Sequence, residues 1–294
     1  MKSASSAHRL FSGGRVAALA HNTLRELIRM RIFYFLLLFA LLVIGSSLFT
    51  VQFTFQEQFQ VLKDVGLGAI SLFSWLLGLL CTALLIPKDL EDRTLYTILA
   101  KPVPRFEYLL GKLLGVFLVI AAAVGLMGLL FLGVLALREQ QVLAETARTT
   151  PPEQLADALR VVRQSAFQWN LIPGILLIYA KALVCATLTL LISTFASSSV
   201  FTVLVSVVVY VMGHLQGIAR DYWLAGGEAS PLVKLMVGLV ALVFPDLQLF
   251  NVVDEIAAGK AVSAVLLWKV SGFGMLYTVI YLLLAQAFFS QKEL

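Results

Sequence analysis

PKDLEDRTLYTILAKPVPRFEYLLGK, residues 87–112, is the stretch on which the reading of this chain turns. It carries nine charged residues, Lys88, Asp89, Glu91, Asp92, Arg93, Lys101, Arg105, Glu107 and Lys112, between two long apolar runs. Asp89 is placed to cap a short helix, and Asp92, three residues on, sets negative charge at the positive end of that helix's dipole. The spacing predicts a helix from about residue 90 to about residue 100. Pro102 and Pro104 forbid its continuation, because each lacks a backbone donor and pushes its predecessor out of the helical region. A second helix begins near Phe106. On the short helix Leu90, Thr94 and Ile98 face one way and Leu95 and Leu99 another, with Asp92 and Arg93 between them. Two apolar faces call for two neighbours, one of them another protein; a solvated connection between helices is the plainer alternative.

The rest of the chain sets the context. Hydrophobic residues make up 60% and charged residues only 13% of its 294 positions, and the mean hydropathy is +0.92. A soluble domain would be about a quarter charged. Apolar windows occupy residues 32–51, 66–86, 109–137, 171–193, 200–218 and 264–288. Each matches the ~20 residues that cross a bilayer, so the expected fold is an all-α polytopic membrane protein with six transmembrane helices.

Basic residues give the orientation. With the amino terminus inside, the inner side holds Lys2, Arg9, Arg15, Arg25, Arg29, Arg31, Lys88, Arg93, Lys101, Arg105, Lys112 and Lys292. The longer outer segments hold Lys63, Arg138, Arg148, Arg160, Arg163, Arg220, Lys234 and Lys260. Inner basic density is about twice the outer, which puts both termini and residues 87–108 in the cytoplasm. The net charge of +5 thus reflects orientation, and with no basic run interleaved with aromatics, no nucleic-acid partner is expected.

Residues 1–14 read as disordered, and residues 15–294 as one transmembrane domain. From Arg15, Val16, Leu19, Ala20, Thr23, Leu24, Leu27 and Met30 share a helix face opposite Arg15, Asn22, Arg25, Glu26 and Arg29. Such a helix, residues 15–31, lies in the membrane interface with its basic side toward anionic lipid headgroups, or packs on a partner. It precedes an uncleaved first span rather than a signal peptide. The third window is long enough that it must tilt or project, and its cytoplasmic end is expected to project. Gly111 and Gly115 there form a small-xxx-small pair, for internal packing or a dimer seam.

Two long outer loops are expected, residues 138–170 and 219–263. In the first, Thr150 and Glu153 match a capping box around two prolines, and Leu155, Leu159, Val162, Ala166 and Trp169 repeat at helical spacing. In the second, residues 231–245 bracket an apolar run too short to span, read as a re-entrant or interfacial helix before the last span. Residues 193–199 form a tight inner turn. Lys181 falls near the middle of the fourth window: its ammonium either snorkels outward, the preferred reading, or faces a polar cavity on a substrate path.

Several chemistries lack their residues. No phosphate-binding Gly-x-x-x-x-Gly-Lys-Ser/Thr loop occurs, so no ATP hydrolysis is expected from this chain. His8, His21 and His214 have no metal-ligand spacing, and Met127, Met212, Met236 and Met275 form no close pair. Cys81 and Cys185 lie inside different spans and read as buried apolar residues. Neither catalytic, cofactor nor metal residues are assigned. The six spans hold no carboxylate, which weighs against a secondary carrier driven by protons or ions. A membrane-embedded hydrolase would need a His/Asp/Glu cluster that is not evident, while a non-transporting scaffold stays open as an alternative.

Residues 86–115, IPKDLEDRTLYTILAKPVPRFEYLLGKLLG, resemble the cytoplasmic signature of type-2 ATP-binding-cassette (ABC) permeases, most of all the branch labelled multi-copper-enzyme maturation permeases. Glu91, Arg93, Thr94, Tyr96, Thr97, Leu99, Lys101, Pro102, Val103, Arg105, Gly111 and Lys112 stand in the signature's places. Residues 244–259, FPDLQLFNVVDEIAAG, resemble that branch's segment before its final span. The resemblance implies an exporter half in a bacterial cytoplasmic (inner) membrane, with a second permease chain and two cytoplasmic ABC ATPase subunits. No cofactor is implied in this chain; ATP and Mg belong to the ATPase. It also implies a coupling helix at residues 89–99, with Asp89, Glu91, Asp92 and Arg93 setting docking register and Leu95, Tyr96 and Leu99 supplying buried contact.

Overall fold

A computed structural model describes residues 11–46, 55–91, 104–196, 198–225, 244–251, 253–257 and 263–291, with Leu232, Leu235 and Gly238 as isolated helical positions. The described residues form helices and connections without a strand. The helices are α1 (Gly13–Ile28), α2 (Arg31–Ser46), α3 (Phe55–Glu91), α4 (Arg105–Thr149), α5 (Pro152–Ala166), α6 (Leu171–Phe195), α7 (Ser199–Ala225), α8 (Val253–Ala257) and α9 (Ala264–Gln291), with a 3-10 turn at Leu247–Phe250 before α8. Five helices are long and apolar enough to cross a membrane, and α1 with α2, bent by 66° at their junction, makes a sixth candidate. The chain is an all-α integral membrane protein, as its apolar windows predict.

The core lies where α3, α4 and α6 meet. Leu67, Ile70 and Leu77 of α3, Val116, Ile120 and Ala123 of α4, and Leu177, Ile178 and Ala182 of α6 are all buried there. Around this triad α2 covers α3 and α4, α9 covers α6, and α7 sits against α3 and α6. The outward faces of α2, α7 and α9 expose residues such as Phe35, Leu42, Leu204, Val208, Met275 and Leu283. In a bilayer such faces cost nothing, since lipid tails are as apolar as leucine.

Several helices outrun their windows. Pro87 does not end α3, which runs on to Glu91. The ring removes one donor, but Ile86 is buried in a cluster with Tyr108, Leu109, Leu113 and Phe289, which holds that turn in place. Asp89 is therefore inside the last turn of α3 and not at the cap of a new helix; the remainder of the predicted short helix, residues 92–100, lies outside the described residues. Helix α4 is 45 residues long, ~67 Å at the ordinary rise. It exceeds its window mainly at the end away from residues 87–112, through residues 138–149, contrary to the expectation that the charged end projects.

That extension rewrites the first outer loop. Thr150 becomes the C-cap of α4, its amide donating to the carbonyl of Thr146 at 3.0 Å, so it makes no capping box. Helix α5 starts after Pro151 without a side-chain cap, and it rests Val162 and Ala166 against α3 and α4. Trp169 falls beyond it and is exposed. Lys63 of α3 donates to the carbonyl of Ser165 at 2.7 Å and fixes the hairpin. The turn between α6 and α7 is as tight as its small residues predict, with the Ser198 hydroxyl accepting from the Phe201 amide at 3.2 Å. Most of residues 231–245, the short apolar run, lies outside the described residues.

Candidate functional site

Among the described residues, two polar clusters bear on function, one at the charged end of the bundle and one in its middle. At the charged end α1 packs along the first turns of α4. Close approach depends on two glycines: a Cβ on Gly111 would stand 2.5 Å from Leu19 Cβ, and one on Gly115 would stand 2.5 Å from Thr23 Cβ and 2.9 Å from the Ala20 carbonyl. The small-xxx-small pair thus serves packing within the chain, and the apolar face of α1, with Val16, Ala20, Thr23 and Leu27 buried, meets α4 rather than acyl chains.

Ion pairs finish the contact. Arg15 grips Glu107 with two parallel hydrogen bonds, Nε to Oε2 at 2.6 Å and Nη2 to Oε1 at 2.7 Å, and the Ser12 amide adds a third at 2.9 Å. Glu107 is buried, and these donors, Arg15 first, hold its carboxyl below the usual carboxylate range. One turn deeper, Lys112 reaches Asp89 at 2.8 Å and Glu26 at 3.4 Å. Asp89 also accepts a hydrogen bond from the Tyr108 hydroxyl. Glu26 accepts from Lys88 at 3.0 Å. Arg105 donates to the carbonyls of Phe289 and Ser290, at 3.0 and 2.6 Å, at the end of α9 where helix carbonyls carry partial negative charge. Four helices, α1, α3, α4 and α9, are tied at one end, and the described parts of both chain ends lie there.

The second cluster lies between α3, α6 and α7. Lys181 is the eleventh of the 25 residues of α6 and is buried at 4% exposure. It does not snorkel. Its Nζ lies 2.8 Å from His214 Nε2 and 5.6 Å from the centre of the Tyr210 ring, which stacks on Trp75 at 3.7 Å. His214 Nδ1 is 3.0 Å from the Tyr210 carbonyl. A carbonyl only accepts, so Nδ1 carries the proton and Nε2 accepts from the lysine. Lys181, Tyr210 and His214 line a cavity of about 320 Å³ together with Asp64, Gly68, Ser71, Leu72, Asn251 and Val253.

Of the residues expected to couple to a partner, Asp89 faces inward to Lys112 and Tyr108, and it serves the bundle rather than an outer surface. Glu91 ends α3, its side chain outside the described part, and Asp92, Arg93, Leu95, Tyr96 and Leu99 lie outside the described residues altogether. A family model described as ABC-2 family transporter protein matches residues 17–294, from α1 to the end of the chain. The chain belongs to the ABC-2 transporter family. No curated protein matches it. The Lys181 cluster of this ABC-2 protein falls within the matched residues, as does the charged-end cluster apart from Ser12 and Arg15. Sequence reasoning left Glu26 and Glu107 without a role, and it treated His214 only as a metal ligand that lacked companions. Their partners are 86, 92 and 33 residues away along the chain, beyond any local pattern.

Proposed function

We propose that this chain is the membrane-spanning subunit of an ABC exporter, paired with a second permease chain and driven by ATP and Mg bound on separate cytoplasmic ATPase subunits. Membership of the ABC-2 family supports the permease and its ATPase partner. Sequence features of residues 86–115 support the finer reading, a member of the multi-copper maturation branch whose coupling stretch, residues 89–99 less the inward-facing Asp89, docks on the ATPase, with Glu91, Asp92 and Arg93 setting register and Leu95, Tyr96 and Leu99 filling a groove. The basic bias favours a cytoplasmic charged end and cytoplasmic termini, and the resemblance of residues 86–115 to the family signature favours a bacterial inner membrane.

The observation that carries the mechanism is the paired network at the charged end. The docking segment leaves α3 just after Asp89 and re-enters α4 just before Glu107, and Lys112 bonds Asp89 directly. A displacement of the segment therefore moves α3, α4, the clasped α1 and the tied end of α9 together, and nucleotide-driven closure of the ATPase tilts them against α6 and α7. Asp89 acts in this account as a positioning residue inside the network. The double variant Arg93→Glu with Leu95→Asp is expected to abolish ATPase co-purification and transport while thermal stability stays at the wild-type level. Undiminished co-purification and transport would remove the docking assignment.

A further inference from the structure

We infer that the Lys181 cavity is a binding site for the anionic headgroup of a membrane amphiphile, a phosphate or carboxylate on an acyl-bearing molecule. Lys181 offers three donors, and the described structure gives it one acceptor, His214 Nε2. No described carboxylate pairs with it. Asp246 caps the Gln248 amide at 3.1 Å. Asp64 is in the lining of the same cavity but forms no ion pair with Lys181. His214 is held as an acceptor toward the lysine by its own bond to the Tyr210 carbonyl, and it neutralises none of the charge. An ammonium at this depth, with donors to spare and a cavity before it, is completed by an oxyanion.

The surroundings select an amphiphile over a free ion. Leu72 on the cavity wall is 47% exposed, and Val211 and Leu215, beside Tyr210 and His214 on α7, are exposed as well. The cavity therefore opens on an apolar flank of the bundle, where an acyl chain lies against leucine and valine while the headgroup reaches Lys181. A soluble anion would have to reach the same depth without that support. Calling the bound amphiphile cargo rests on the permease reading above; the binding itself does not.

The test uses the full chain in phosphatidylcholine nanodiscs without nucleotide, titrated with phosphatidylglycerol or with inorganic phosphate, and read by native mass spectrometry. Lys181→Gln is expected to weaken phosphatidylglycerol binding at least tenfold and Lys181→Arg to keep it within threefold. Ser71→Trp, which fills the cavity but leaves the ammonium, is expected to abolish it. Arg25→Gln with Arg29→Gln, at the exposed elbow of α1, should leave it unchanged. Wild-type binding by both Lys181→Gln and Ser71→Trp overturns the site; phosphate binding as tightly and displacing the lipid overturns the amphiphile. Lys181-dependent binding without any nucleotide-driven transport would refute the permease reading and leave the site standing. Full transport by Lys181→Gln would do the reverse for the cargo assignment.

Discussion

Lys112 and Lys181 are hidden to nearly the same degree, at 3% and 4% exposure, yet their surroundings are opposite. Lys112 sits between two carboxylates, Asp89 and Glu26, themselves tied to Tyr108 and Lys88. Lys181 meets an imidazole nitrogen and the face of a phenol ring. A buried charge surrounded by opposite charge holds helices in register, and one surrounded by neutral groups remains available to something that arrives from outside. On the readings proposed above, the first surrounding suits the transmission of force and the second the arrival of a ligand.

The sharpest way to break it is to truncate each lysine. Lys112→Met strands Asp89 beside a buried tyrosine, and should cost about 3–5 kcal/mol of stability, with much of the loss recovered when Asp89→Asn is added. Lys181→Met removes an ammonium that has no described counter-ion, and unfolding in detergent should move by less than about 1 kcal/mol. Equal losses from the two variants would erase the distinction. A smaller effect tests the clasp by shape alone. Gly115→Leu drives a side chain into Thr23 and the Ala20 carbonyl and should cost about 1–3 kcal/mol, with hydrogen exchange in α1 accelerating before exchange in α6. If α6 opens first, the glycines do not seat α1.

The smallest effect is acid dependence. Because Arg15 holds the Glu107 carboxyl below its unfolded value, the clasp's contribution is complete above the unfolded carboxylate range of about 4.3 and is lost as pH falls through the lower folded value. Amide protection across α1 should therefore be flat from about pH 7 to about pH 5 and decline only in stronger acid. Glu107→Gln should remove that decline. A loosening centred near neutrality would point to another group.

Much of this architecture is readable in the chain because a bilayer imposes one requirement, a run of about twenty apolar residues, and the six windows meet it. The period of α1 and the small pair Gly111 and Gly115 are equally local; the pair predicts close helix contact, while the period predicts a helix in the membrane interface. What stays hidden is which surface meets which. The two features turn out to be halves of one contact, since Glu107 and Arg15 are 92 positions apart. Lys181 is misjudged for the same reason: snorkelling is the right answer for a lysine with only lipid around it, and His214 and Tyr210 arrive from another helix. The Thr150 cap fails because α4 keeps its helical hydrogen bonds to Thr149 and takes Thr150 as its own terminus.

The pairing of Arg15 with Glu107 also sets a schedule for biogenesis. The ribosome delivers α1 a full 92 residues before the groove that receives it, so the nascent helix waits while α2 and α3 are made. Its basic face suits that wait among anionic headgroups. Only the emergence of α4 lets it leave the lipid, which makes the docking of the first helix a checkpoint that a half-made chain does not pass.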